Sequence, residues 1–234
     1  SAASAGNDHR LGGNEAPPAI VSIFLGDELT HVLESIETDT YFGKQEKIQL
    51  DTGAPVLPHF LKDNTDRNRT SPFAFTGNKF EFRMLGSAAS VATPNIILNT
   101  AVAESLDQFY EELKDTDPAD MDEAVHALLK RAIQKHKKVI FNGNGYSDEW
   151  VKEASRRGLD NLESTPDCLE RLLTAKSITL FTKHHIYTEE EIRSRHDILL
   201  ENYVKTIAIE ARTMVDILSR DFLPALLSYT GAVA

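Results

Sequence analysis

Apolar residues recur every three or four positions along most of the second half of the chain, which is the period of an α-helix with one buried face. The longest run covers residues 189 to about 220. It follows Thr188, and Glu191 lies three residues further on, the spacing of a capping box. Pro224 is expected to end or kink this helix, because proline lacks the backbone N–H that a helix interior uses. The apolar stripe of the predicted helix consists of Ile192, His196, Leu199, Tyr203, Ile207, Ala211, Met214 and Leu218.

Other helices are indicated by a polar residue followed by proline, the order found at many helix starts. This pair occurs at Thr93-Pro94, Asp117-Pro118 and Thr165-Pro166. Near the other end of the chain, apolar residues after Pro17-Pro18 recur at roughly helical spacing. They predict a first helix that extends to about Glu37.

Between these helical regions the pattern changes to strict alternation. Residues 71–76 and 79–85 are two aromatic, alternating runs separated by Gly77-Asn78, which predicts a β-hairpin. Alternate side chains of a strand share a face, so one face of the second strand should carry charges and the other should face the core. The preceding region, 38–70, is predicted to be mostly loop with a short strand at 47–50. The charged face consists of Lys79, Glu81 and Arg83, and the core face of Phe80, Phe82 and Met84.

The predicted fold class is therefore α+β, with short antiparallel strands followed by a mainly helical region. We place the boundary so that 1–113 forms the mixed domain and 114–234 the helical one. The chain starts without Met and ends inside an apolar stretch, so it is expected to be a piece of a longer protein.

Composition excludes several classes of function. The 36 acidic against 25 basic residues give a net charge of −11, which argues against general binding of nucleic acid or of anionic membranes. No apolar run approaches the length of a membrane span, and the first residues lack the pattern of a secretory signal. The single cysteine, Cys168, cannot form an intrachain disulfide. A cytoplasmic location is expected.

The segment 60–90 contains the candidate chemistry. Glu81 alternates with two cations, and Arg67 and Arg69 lie shortly before the hairpin. A carboxylate can ligate a hard metal ion while guanidinium groups bind anionic oxygens, so this pattern suits a site for a metal and a phosphate or carboxylate. The alternative is a half-exposed edge strand whose charges are only solvated.

Three segments resemble type III glutamine synthetases in the correct order: 7–22 (NDHRLGGNEAPPAIVS), 63–83 (DNTDRNRT followed by SPFAFTGNKFEFR) and 141–150 (FNGNGYSDEW). The first two resemble the end of that family's catalytic domain, and the third resembles its C-terminal extension. The resemblance implies a ligase that joins glutamate and ammonium with ATP and Mg²⁺ or Mn²⁺ through γ-glutamyl phosphate. It also implies a homo-oligomer, a dodecamer of stacked rings.

The resemblance also implies roles for single residues. It makes Glu81 a metal ligand and Arg83 a catalytic contact to glutamate or to the transferring phosphoryl group. The remaining assignments are Arg10 for the glutamate carboxylate, Glu15 for the flap that closes the site, and Arg67, Arg69 and Lys79 for the nucleotide phosphates. The family's usual arginine is replaced by Lys79, and a second phosphate-side arginine has no match where Ala74 stands.

Three interpretations stay open at this point. The chain is part of an active ligase, part of a catalytically silent structural module of the same fold, or part of a relative that uses a larger amine. Elsewhere, we interpret His184, His185 and His196 as surface or packing residues, the run 142–145 as a turn, and the long apolar stripe as helix packing or a subunit contact.

Overall fold

A computed structural model describes residues 6–13, 16–40, 49–50, 60–61, 71–83, 86 and 89–233. The fold is α+β and mainly helical, as predicted. The chain forms two compact units, one of His9–Glu163 and one of Ser164–Ala234 together with residues 6–8. The predicted domain boundary at residue 113 stays a prediction. None of the helices in the described ranges is long and apolar enough to span a bilayer.

The strands of the first unit are short. They are β1 (Ile23–Phe24), β2 (Gln49–Leu50), β3 (Phe60–Leu61), β4 (Phe73–Phe75) and β5 (Phe80–Phe82). β4 and β5 form the predicted hairpin, and β1 pairs with β4 in parallel, so the sheet has the order β1-β4-β5 and is mixed rather than antiparallel throughout. β2 and β3 form a separate antiparallel pair, and β3 lies in a stretch that we expected to be loop.

Eight α-helices occur in the described ranges. They are α1 (Gly26–Thr38), α2 (Ala92–Leu113), α3 (Met121–His136), α4 (Asp148–Arg156), α5 (Thr165–Leu169), α6 (Ala175–Lys183), α7 (Glu189–Ile217) and α8 (Leu223–Val233).

The first helix has 13 residues and is about two thirds as long as predicted. It begins at Gly26, whose φ of +77° interrupts any helix that approaches from the proline pair. The residues before it run extended into β1, where Ile23 aligns with Phe73 and its carbonyl accepts a hydrogen bond of 2.9 Å from the N–H of Phe141. These partners lie 50 or more residues away, so local periodicity could not distinguish this strand from a helical turn.

The predicted helix starts differ in accuracy. The capping box of Thr188 and Glu191 is confirmed. α5 is capped by Ser164, one residue before the predicted Thr165. Asp117 instead accepts the N–H of Ala119 in a turn that ends before α3 begins. α2 begins one residue before Thr93-Pro94, so the predicted cap is already inside the helix.

Each unit has its own core. In the first unit, Trp150 is 1% exposed and packs with Ile20 and Ala154. Its ring stacks on Phe141 at a centroid distance of 3.9 Å, and the guanidinium of Arg157 lies 5.5 Å from the ring centroid. The ring of Trp150 restrains both Phe141 and Arg157 by these contacts, and so orders the loop between α3 and α4.

The second unit is a helical core formed by α5, α6 and the first half of α7. Leu169, Phe181 and Ile192 are almost completely buried there. His196 is buried as well, which confirms its interpretation as a packing residue. Asp8 belongs to this unit, because its carboxylate accepts the backbone N–H of Thr165 at 3.2 Å and the hydroxyl of Tyr203.

Pro224 does not end the helical path. The residues from Leu218 to Phe222 form one π-turn, and the N–H of Leu223 donates to the carbonyl of Leu218. α8 then continues through Pro224. A π-turn shifts the hydrogen-bond pattern by one residue just before the proline. The helix can therefore continue through a residue that has no N–H to donate and carries a bulky ring.

Candidate functional site

The candidate site lies on the hairpin of β4 and β5. Phe73, Ala74 and Phe75 pair with Phe82, Glu81 and Phe80. Residues 76–79 join the strands through the two-residue loop Gly77-Asn78, which is closed by the hydrogen bond of 2.8 Å from the N–H of Thr76 to the carbonyl of Lys79. Gly77 begins this loop with a φ of +96°, which only glycine adopts without strain and which a type II′ turn requires at this position. β4 lies between its two neighbours, while β5 has one partner strand in the described sheet. The charged strand is therefore at the sheet's edge.

The three charged residues of β5 and its ends are brought together as predicted. A carboxylate oxygen of Glu81 accepts hydrogen bonds from Nε and Nη2 of Arg83 at 3.2 and 3.0 Å. Its other oxygen lies 3.1 Å from Nζ of Lys79. The exposed fractions of the side chains are 66% for Lys79, 36% for Glu81 and 19% for Arg83. The carboxylate thus lies between two cations, and the guanidinium is the most enclosed of the three groups.

These contacts keep Glu81 ionised. The hydrogen bonds from Arg83, and after them that from Lys79, hold the pKa of the Glu81 carboxyl below its usual value of 4.5. Both cations stabilise the charged form of the carboxylate directly. At neutral pH the edge strand therefore presents one anionic oxygen pair flanked by two positive groups, an arrangement able to ligate a hard cation and to bind anionic oxygens.

The opposite face of the hairpin differs from the prediction. Phe80 stacks on Phe73 and contacts Phe75, each at a centroid distance of 5.3 Å. However, Phe80 is 47% and Phe82 is 36% exposed, so neither is enclosed in the core as expected. The fully buried residue of the hairpin is instead Ala74, which pairs with Glu81 and therefore lies on the same face of the sheet as the charged row.

The other predicted site residues are not joined to this cluster. Arg10 is exposed in a turn closed by the hydrogen bond from the N–H of Gly13 to its carbonyl, and its guanidinium has no partner among the described residues. Glu15, Arg67 and Arg69 lie outside the described residues. Only Lys79, Glu81 and Arg83 are therefore assembled within the part of the site that the structure describes.

The described ranges contain no group of three or more metal-ligating side chains. His126, whose side chain is about half exposed, lies 3.0 Å from the carboxylate of Asp39, which also pairs with Lys130. This cluster ties α3 to the end of α1. It contains a single carboxylate, so it is a structural ion pair rather than a second candidate metal site.

Sequence reasoning missed Asn142, which we interpreted only as part of a turn. Its Oδ1 accepts the N–H groups of Leu25 and Gly26 at 3.0 and 3.1 Å, and its Nδ2 donates to Thr30 at 2.8 Å. Asn142 thus caps α1 from a distant part of the chain. No short-range signal could reveal this role, since caps are recognised in sequence by their position just before a helix.

Comparisons with known proteins agree with the motif resemblance. A family model described as the glutamine synthetase C-terminal domain matches residues 124–234. The chain is 49% identical, over 98% of its length, to a glutamine synthetase of Butyrivibrio fibrisolvens, and 46% identical, over its full length, to a type-3 glutamine synthetase of Dictyostelium discoideum. It is 42% identical over 97% of its length to a glutamine synthetase of Bacteroides fragilis (strain YCH46).

In each case the chain covers 32% of the relative, so it spans about a third of the length of the curated relatives it matches. The similarity extends through both compact units and includes the hairpin with its charged edge strand. The second half of the chain thus matches the glutamine synthetase C-terminal domain, and the whole chain is similar to glutamine synthetases, one of which is named type-3.

Proposed function

We propose that this chain is the C-terminal part of an ATP-dependent glutamate–ammonia ligase and contributes one wall of its active site. The observation that carries the proposal is the row of Lys79, Glu81 and Arg83, which places one ionised carboxylate between two cations on an edge strand. The names of the three relatives support the reaction class.

The residues present fit a divalent cation as part of a larger site. Glu81 is ionised and partly accessible, as a ligand of Mg²⁺ or Mn²⁺ must be. A divalent ion normally takes several oxygen ligands, and the described residues supply one carboxylate here. The remaining ligands would come from other parts of a longer protein. When bound, the cation would neutralise charge on phosphate oxygens of ATP.

The cations of the row have separate roles in the proposal. Arg83 has a planar fork of N–H groups that matches the paired oxygens of a carboxylate or phosphoryl group, so it would orient glutamate or the group being transferred. Its low exposure restricts its rotamers and pre-organises that contact. Lys79 is mostly exposed and would act as a mobile point charge toward the nucleotide phosphates.

Arg10, Glu15, Arg67 and Arg69 complete the proposal through the family resemblance alone. Arg10 would bind the glutamate carboxylate, and Glu15 would close the site over ammonium. The two arginines before the hairpin would face the phosphates. The proposed enzyme is a cytoplasmic homo-oligomer whose sites are completed by neighbouring subunits.

The test is Glu81→Gln in the longer protein that contains this chain, with ATP-, ammonium- and glutamate-dependent glutamine formation as the assay. Removing the charge while keeping the volume should lower the rate by about two to three orders of magnitude, the range for losing one pre-organised electrostatic group. The metal concentration for half-maximal rate should rise. Glu190→Gln, at an exposed position in the first turn of α7, is the matched control and should leave both values unchanged.

Three results would contradict the proposal. A normal rate and metal dependence for Glu81→Gln in a folded oligomer would favour a solvated edge strand. No glutamine from the unmodified longer protein would favour the silent structural module, and a faster reaction with a larger amine would favour the third interpretation. The 234-residue chain alone should make no glutamine, because phosphoryl transfer needs the complete set of positioned charges.

A further inference from the structure

The sheet that carries the charged row has a further partner from the second half of the chain. Ile140 pairs in parallel with Ile23 of β1, and the N–H of Phe141 donates to the carbonyl of Ile23 at 2.9 Å. Ile140 and Phe141 lie within 124–234, the part that the family model matches, whereas β1, β4 and β5 precede it. The matched part therefore extends the sheet on the side away from β5.

Four paired residues form one line across the sheet and connect this addition to the candidate site. The last residue of the line, Phe82, stands between Glu81 and Arg83 in the chain. Neighbouring strands are about 4.8 Å apart, so the line is about 14 Å long. A displacement at its outer end is therefore carried through the strand pairs to the charged row. The four residues are Ile140, Ile23, Phe73 and Phe82.

The strands of this sheet are too short to fix their own positions. β1 has two residues, and β4 and β5 have three each. A two-stranded hairpin alone is only marginally stable in water, and a stable sheet needs three or more strands or packing against other elements. The position of the charged row therefore depends on what supports β1.

Arg157 holds the added segment in place. Its Nη1 donates to the carbonyl of Ile140 at 2.8 Å and to that of Lys138 at 3.3 Å, and its Nε donates to Glu153 at 2.6 Å. Its guanidinium also lies 5.5 Å from the centroid of the Trp150 ring. Only a planar fork of N–H groups can make these contacts together, because a lysine ammonium is a single point charge.

The neighbouring arginine has a different set of contacts. Arg156 donates Nε and Nη2 to the carboxylate of Glu153 at 2.8 and 2.9 Å, and its side chain is 78% exposed. The side chain of Arg157 is 28% exposed. The two arginines thus share one carboxylate, but within the described residues only Arg157 of the two bonds to the backbone of the added segment.

We propose that Arg157 is a positioning residue for the ligase reaction: it fixes the segment 138–141 against β1 and thereby sets the positions of Glu81 and Arg83. The inference rests on the proposed function. In the alternative, Arg157 only stabilises the end of α4. Its loss would then reduce the amount of folded enzyme and leave the site of the remaining molecules unchanged.

The first test compares Arg157→Gln with Arg156→Gln in the longer protein, with glutamine formation as the assay. For Arg157→Gln the metal concentration for half-maximal rate should rise by at least about tenfold, since a misplacement of about 1 Å can cost about a hundredfold. Arg156→Gln should leave this concentration unchanged. In a Glu81→Gln background, Arg157→Gln should cause no further rise, because the ligand that it positions is already lost. A lower rate with unchanged metal dependence, or a full further rise in that background, would overturn the proposal.

A conservative variant covers the case in which Arg157→Gln does not fold. Arg157→Lys keeps the positive charge beside Glu153 but not the fork of N–H groups. It should fold and assemble normally and still need more metal for half-maximal rate than the unmodified protein. Normal metal dependence of Arg157→Lys would also contradict the positioning role.

Backbone hydrogen exchange, measured by mass spectrometry on the same proteins, tests the structural step without catalysis. Arg157→Gln should speed exchange in the peptide 71–83, whereas Arg156→Gln should not, and the peptide of α6 (Ala175–Lys183) should be unaffected by either. Unchanged exchange in the hairpin would overturn the inference. Faster exchange there in a protein that makes no glutamine would support the hairpin's dependence on Arg157 and contradict the ligase proposal instead.

Discussion

Replacing Asn142 with alanine should destabilise the first unit more than any other exposed substitution in its loop. The side chain makes three hydrogen bonds, two from the N–H groups at the start of α1 and one to the hydroxyl of Thr30. Leu25 and Gly26 are buried, so the two N–H groups lose their acceptor in a poorly hydrated place. β1, which pairs with the site hairpin, immediately precedes them.

The magnitude follows from the number and exposure of these bonds. A buried donor left without an acceptor costs about 1–3 kcal/mol, and two donors are affected. Asn142 itself is exposed, so water replaces part of the lost bonding and the expected loss in the free energy of unfolding is about 2–3 kcal/mol. Asn142→Asp should cost only about 1 kcal/mol, because it keeps the acceptor and places a negative charge at a helix N-terminus.

The fluorescence of Trp150 provides the assay. It is the single tryptophan of the chain, and its ring lies in the core of the first unit, so a denaturant titration followed by its emission reports on that unit. Asn144→Ala is the matched control, since Asn144 accepts an exposed hydrogen bond from the N–H of Tyr146 within its own loop. A loss of less than about 0.5 kcal/mol for Asn142→Ala, the range of ordinary surface substitutions, would refute the capping role.

Two pH-dependent effects should also be measurable. Hydrogen bonds from Arg156, and after it from Arg157, lower the pKa of Glu153 from 4.5 to about 2. The stabilisation by these bonds is therefore present above pH 4.5 and is lost as the pH falls toward 2. In acid denaturation, the difference in stability between the unmodified chain and Glu153→Gln should shrink over that interval. The hydrogen bond to Asp8 raises the pKa of Tyr203 above 10, so this contact stabilises the fold below pH 10 and is lost at higher pH. Asp8→Ala should shift the appearance of the phenolate absorbance of Tyr203, identified by difference from Tyr203→Phe, to lower pH. An unchanged titration would show that the contact does not form in solution.

The charged row of the site could be predicted because it depends on local rules alone. A glycine-containing two-residue turn sets the register of the hairpin, and the period of a strand then places Lys79, Glu81 and Arg83 on one side. The position of Arg10 relative to this row depends on how distant turns pack, so the family motif could name the residue but could not place it.

The elements that could be predicted are those whose causes lie within a few residues: the hairpin, the capping box of Thr188 and the long helix α7. Three features could be established only from the packed molecule: a strand precedes Gly26, Asn142 caps α1, and Ala74, not Phe80, is the buried residue of the hairpin. These features depend on partners far away along the chain. Burial and long-range hydrogen bonding are properties of the packed molecule, and a pattern read along one segment contains no information about which distant segment will cover it.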